Sequence, residues 1–210
     1  TIVASYPDST YAPKCQYKKA QALEKMGDID LACEEYVKLS YRYPDHELIA
    51  ETIAALGTYF SRKGLEMKKQ AEAAEDAVAA EKIILQSKEM FKTAAEVFSR
   101  LGDRFPDHTL STITTVRSAQ CYMRAEIWDD AINTFQRVLD DKTADKDLRA
   151  EAMYWCADCY MRQKESMSAY RVFKPLTWEY PESKWARYAR GRLATDKSLG
   201  VIDAAGDENP

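Results

Sequence analysis

Tyr43-Pro44-Asp45 has three counterparts in this chain: Tyr6-Pro7-Asp8, Phe105-Pro106-Asp107 and Tyr180-Pro181-Glu182. Each joins an aromatic residue, a proline that cannot continue a helical hydrogen-bond ladder, and an acidic residue suited to begin the next helix. The prolines stand 37, 62 and 75 residues apart. The last interval is close to two periods, and the middle one exceeds a period by 25 residues. Helical segments punctuated at a period in the thirties define a solenoid of helix pairs. Such scaffolds share architecture rather than chemistry, so the function has to be sought on their surfaces.

The first pair shows the grammar. A helix is expected from about Ala12 to Met26, a turn at Gly27-Asp28, and a second helix from Ile29 to Tyr43, stopped by Pro44. Asp8, Asp45, Asp107 and Ser183 are expected to cap the helices that follow them. Aligning the chain on its prolines exposes the packing residues. The first pair carries Ala20, then Ala32, Tyr36 and Leu39, and the second Gly57, then Ala94, Phe98 and Leu101. The third has Ala119, then Ala131, Phe135 and Val138, and the fourth Ala157, then Ala169, Phe173 and Leu176. A small residue lets each pair approach, and an aromatic fills the gap toward the neighbouring pair.

These small, aromatic and closing-proline positions resemble tetratricopeptide repeats. The resemblance implies an all-α, right-handed superhelix of about four helix pairs plus a closing helix. Repeats are expected over 12–44, 47–106, 109–142 and 146–181, with a closing helix over 183–197 and a flexible tail over 199–210. Residues 1–7 read as the end of a preceding helix, which makes the chain a piece of a longer protein. Two departures stand out: Lys142-Thr143 replaces the closing proline of the third repeat, and the first helix lacks an early large aromatic. The segment from Tyr6 to Pro13, with Tyr43-Pro44-Asp45, resembles bacterial envelope proteins of the outer-membrane assembly and Tol-Pal-associated types, which favours the periplasm or cell envelope.

The 25 extra residues fall in the second repeat, at about 65–93. No proline or glycine occurs from Leu65 to Leu101, and the stretch is rich in alanine, so the insertion is helical. Two unbroken series of three-four spacing cross it. One runs from Ala50 through Gly57, Gly64 and Ala71 to Val78; the other runs from Ala77 through Ile84, Ser87, Phe91 and Phe98 to Leu101. They disagree by one residue near Asp76. Two lengthened antiparallel helices meeting there explain the seam through Gly64. The alternative is one helix of roughly 40 residues after a turn at Gly64, about 60 Å long.

Composition narrows the function classes. At 46% apolar and 30% charged, with net charge −4, the chain lacks the concentrated basic face that nucleic acid demands. No apolar run approaches the roughly 18 residues of a membrane span. Cys156-Ala-Asp-Cys159 lies in a helical pattern without a second ligand pair, so buried or half-buried thiols are expected, with redox or metal chemistry as the alternative. His46 and His108 directly follow Pro-Asp and read as capping or surface residues rather than catalytic ones. Without a phosphate loop, a metalloprotease motif or a calcium loop, neither enzyme activity nor a cofactor is expected.

A protein or peptide partner is expected instead, bound in the concave groove of the superhelix. The resemblance maps the first-helix faces onto Tyr17, Gln21, Val116, Gln120, Met123, Tyr154, Asp158, Met161, Trp185, Tyr188 and Arg192. Tyr17 and Gln21 stand where the basic clamp of chaperone-tail binders would have its lysine and asparagine, which disfavours a carboxylate-tail ligand. Two other readings stay open. The segment is a spacer or self-association module, with a homodimer formed through the insertion, or it is an accessory subunit of an enzyme complex.

Overall fold

A computed structural model of the chain describes residues 5–199. The helix end expected over 1–7 lies partly outside these residues, and the tail expected over 199–210 lies almost wholly outside them. The fold is all-α, with helix pairs packed consecutively: α1 (Ala12–Met26), α2 (Ile29–Arg42), α3 (Ile49–Glu72), α4 (Ala77–Arg104), α5 (Ser111–Arg124), α6 (Trp128–Asp140), α7 (Lys146–Arg162), α8 (Ser166–Glu179) and the closing α9 (Lys184–Thr195). The chain divides into two compact units, the first ending at Thr114 and the second beginning at Thr115.

The aromatic-Pro-acid punctuation folds the same way each time. Tyr43, Phe105 and Tyr180 close their helices in one conformation, φ near −130 and ψ between 54 and 61, outside the α region that a following proline disfavours. The residue after the acid then turns back, with His46 N–H donating to Tyr43 O and His108 N–H to Phe105 O, 3.1 and 3.0 Å. The capping expectation needs correcting at this point. Neither Asp45 nor Asp107 caps; instead His46 Nδ1 accepts from Leu48 N–H and His108 Nδ1 from Leu110 N–H, each at 3.2 Å. Ser9 and Ser183 hold the same place in their motifs and accept from Tyr11 and Trp185 N–H. The side-chain acceptor sits one residue later than the acid; at Ser9, His46 and His108 it holds the residue just before the helix, and at Ser183 it accepts from inside the helix. Ser183 caps α9, as its place in the sequence predicts.

Three pairs turn through a left-handed residue: Gly27 (φ 89), Glu126 (φ 62) and Lys164 (φ 64). At each, two successive N–H groups close a Schellman pattern, as with Gly27 N–H to Glu24 O and Asp28 N–H to Leu23 O. Where the third repeat lacks its proline, an Asx turn substitutes, with Asp141 Oδ1 accepting from Thr143 N–H at 2.9 Å. Asp145 then caps α7.

The second pair departs from this pattern. α3 runs 24 residues and α4 runs 28, and a short turn joins them, with Asp76 extended and its carboxylate accepting from Val78 N–H. They form an antiparallel hairpin. Ser87 Oγ donates to Gly64 O at 2.7 Å, the Phe91 ring lies over Gly64, and the Phe98 ring lies over Gly57. The single long helix is thereby excluded. The glycines allow the approach, since each would drive a Cβ into a phenylalanine ring.

The core of the first unit is built from Ala20, Tyr36 and Leu56, with Phe91, Phe98 and Leu101 buried along the hairpin. In the second unit Val116, Ala131, Phe135 and Cys156 centre one cluster, and Ala157, Ala169, Phe173, Leu176 and Ala189 another. Phe135 and Phe173 are fully buried at equivalent repeat positions. No helix among the described residues is long and apolar enough to cross a membrane.

Candidate protein-binding surface

On α7, Tyr154, Asp158 and Met161 succeed one another at helical spacing; on α9, Trp185, Tyr188 and Arg192 do the same. Ala157 and Ala189, both fully buried, let α7 and α9 settle on α8 around Phe173. The two faces are thereby brought together. Tyr154 meets Trp185 at 5.3 Å between ring centroids and Tyr188 at 6.0 Å, and Trp185 meets Tyr188 edge-on at 5.9 Å. Phe173 supports Tyr154 from below at 5.6 Å. Offset and edge-to-face rings at these separations stabilise the cluster beyond the area they bury.

Charge is fixed beneath the rings. Asp158 is 6% exposed and accepts from Arg192 Nη2 at 3.2 Å, with Arg162 Nε at 3.5 Å on its other oxygen. A buried carboxylate between two guanidiniums is paired rather than reactive. Burial pushes the Tyr154 hydroxyl up; Asp158 and Tyr188 act in the same direction and Arg192 opposes them. Lys184 Nζ lies 4.7 Å from the centre of the Trp185 ring, a cation–π contact.

The remaining predicted residues lie apart from this cluster or beneath it. Met161 packs against the Phe173 core. Val116, 3% exposed, is part of the core of the second unit, and Met123 packs against that core. Gln120 Nε2 donates to Glu151 at 2.7 Å. Tyr17 and Gln21 are on α1 of the first unit. There Tyr17 stands edge-on to Tyr36, 5.6 Å away, and Gln21 accepts from Lys18.

Sequence reasoning missed Trp155, Arg162 and Lys184. Trp155 meets both Tyr154 and Trp185 edge-on, and its Nε1 is buried without a hydrogen-bond partner. A face pattern on α7 that takes Tyr154 does not take its neighbour, so periodicity carried no signal for it. Arg162 is one turn beyond Asp158 and could have been read as an i,i+4 pair. Among the described residues, no three His, Cys, Asp or Glu side chains converge as a metal site would require.

The profile of the tetratricopeptide repeat family matches residues 14–46, 116–141 and 151–183. The chain thus carries tetratricopeptide repeats in three places, and these are the three pairs that turn through a left-handed residue. The lengthened hairpin occupies the stretch between the first two matches. No curated protein matches the chain. Tetratricopeptide repeats generally mediate protein–protein interaction.

Proposed function

We propose that this chain is a protein-binding adaptor, a segment of a larger bacterial envelope protein, whose second unit holds a partner peptide against Tyr154, Trp185 and Tyr188. One observation carries the reading. Three aromatic rings from α7 and α9 cluster beside the buried carboxylate of Asp158 and its partly exposed partner Arg192, and Tyr188 remains 50% exposed. Rigid aromatics with an exposed face and an adjacent arginine are the residue types that dominate binding energy at protein interfaces. Gln120, Met161 and Arg192 extend the proposed groove, and the Tyr-Pro-Asp resemblance supports the envelope. Affinity capture from a bacterial envelope extract tests this reading, comparing the unaltered chain with W185A and Y188A. Proteins held by the former should be lost from both variants while thermal melting shows each still folded; equal recovery would overturn the reading.

A second reading has its own observation. Val78 and Leu85 are 76% and 60% exposed, two turns apart on the outer face of α4. Self-association through the hairpin would cover them. Sedimentation equilibrium should then show a dimer that V78E/L85E abolishes, and a monomer at all concentrations would dismiss this reading.

A further inference from the structure

The first unit holds a cleft of about 470 Å³ between α2, α3 and α4 that no repeat position accounts for. Its floor is branched and aliphatic: Ile49, Ile53 and Leu56 from α3, with Val97 from α4. Its lip is cationic, formed by Arg100 and Arg104 one turn apart at the end of α4. The two arginines differ in what they do. Arg104 Nη2 donates to Pro44 O at 2.7 Å and to Asp45 Oδ1 at 2.8 Å, so it ties the end of α4 to the turn after α2. That commitment leaves Arg100 as the guanidinium of the lip that is not tied to the turn. Arg100 is exposed and pairs with no carboxylate among the described residues.

We infer that this cleft binds a partner-protein segment that presents a branched aliphatic side chain beside a single carboxylate. The volume lies within the roughly 300–1,000 Å³ of ligand-binding clefts. The floor offers dispersion and desolvation but no aromatic face, which suits Leu, Ile or Val. The unpaired guanidinium offers a planar fork of donors that a carboxylate matches. Asp103 on the same lip is committed to another interaction and adds negative charge, so the cleft accepts one carboxylate at Arg100 and disfavours an acidic run. A fatty carboxylate carries the same two groups. Ser40 brings α2 to the cleft, and its neighbours on that helix, Val37 and Tyr41, are 48% and 87% exposed. A polypeptide lying across the cleft can cover those side chains as well, which one acyl chain seated in it does not.

The probe is a set of synthetic dodecapeptides, identical except for a central pair that is Leu-Glu, Ile-Glu, Ala-Glu or Leu-Lys, titrated against the full chain by fluorescence anisotropy. Leu-Glu and Ile-Glu peptides should bind about tenfold more tightly than the other two, the loss expected when one charged hydrogen bond or one aliphatic side chain is removed. R100E should reverse the preference toward Leu-Lys. Arg100 is exposed, so the variant's melting transition should be unchanged. S40W, which fills the cleft from α2, should weaken the Leu-Glu peptide while leaving Arg100 in place. Equal binding of all four peptides, an unchanged preference in R100E, or tighter binding of dodecanoate than of any peptide would overturn the inference.

Discussion

Gly64 lies directly beneath the ring of Phe91: a Cβ at Gly64 would stand 3.0 Å from that ring. Seven residues away on both helices the relationship repeats, and a Cβ on Gly57 would stand 2.6 Å from the Phe98 ring. Two glycines and two phenylalanines, each one heptad apart, match only if α3 and α4 run antiparallel. They set the register of the whole hairpin, including the part that extends beyond an ordinary repeat.

Substituting alanine at the two glycines should therefore separate propensity from packing. Alanine gains about 1 kcal/mol in a helix interior. At Gly57 the ring atoms are too close to be avoided, and G57A should destabilise by about 1–3 kcal/mol in urea unfolding. At Gly64 a small shift of the Phe91 ring accommodates the methyl, and G64A should be within about 1 kcal/mol of neutral. F98L should recover part of the G57A loss in a double-mutant cycle, and a purely additive result would show that the ring is not what the methyl meets.

His46 and His108 hold the start of α3 and α5 through Nδ1. H46A and H108A should each cost about 0.5–1.5 kcal/mol, the net worth of the one hydrogen bond that orders the turn before the helix. H46S and H108S should cost less, since serine already fills this place at Ser9 and Ser183. D45A and D107A should leave the histidine bonds in place, and D45A should lose only its exposed pairing with Arg104. Denaturant midpoints across the six variants check the order.

Glu35 is 6% exposed and receives Gln16 Nε2 at 2.5 Å, Lys38 Nζ at 2.9 Å and Lys19 Nζ at 3.0 Å. Burial alone would raise its pKa, but the hydrogen bonds from Lys38 and Lys19 outweigh it and hold the carboxyl below its ordinary value. A depressed folded value contributes stability that is fully present above the unfolded pKa of about 4.3 and disappears as pH falls through the lower folded value. E35Q should cost about 1–3 kcal/mol at neutral pH. It should also flatten the loss of stability below about pH 4. Unfolding free energies measured from pH 7 to pH 3 decide the matter, and parallel curves for the two proteins would contradict the assignment.

Cys156 and Cys159 are buried at 1% and 0% exposure inside α7, and burial pushes the Cys156 thiol up to about 12 and the Cys159 thiol up as well. Neither presents a thiolate near neutral pH, so neither should act as a nucleophile or ligand there. Iodoacetamide at pH 8 should leave both unlabelled until urea unfolds the chain, whereas half-buried Cys15 should be labelled first. Peptide mass mapping reads the order. A chelator should leave the melting temperature unchanged.

Helix pairs, their boundaries at Tyr43-Pro44 and Phe105-Pro106, and the buried Phe98, Phe135 and Phe173 were legible in the chain because a proline stop and a 3.6-residue period are local properties. The two glycine and phenylalanine series were legible as well, and so was a junction near Asp76. Sequence alone left a hairpin and a single helix both open, because an alanine-rich run favours helix on either side of a turn and does nothing to mark the turn itself. Tertiary structure decided between them by seating Phe91 on Gly64. It also decided which residue of each Pro-Asp motif caps, since Asp, His and Ser can all accept an N–H and only the course of the turn selects one. The surface on α7 and α9 shows the same division. Tyr154 and Trp185 were legible as members of first-helix faces, but the pairing of Asp158 with Arg192 across 34 residues and the placement of Trp155 beside Trp185 were not. Sequence sets what each helix buries, whereas contacts between helices depend on the angle and distance at which they pack. Those are properties of the assembled core.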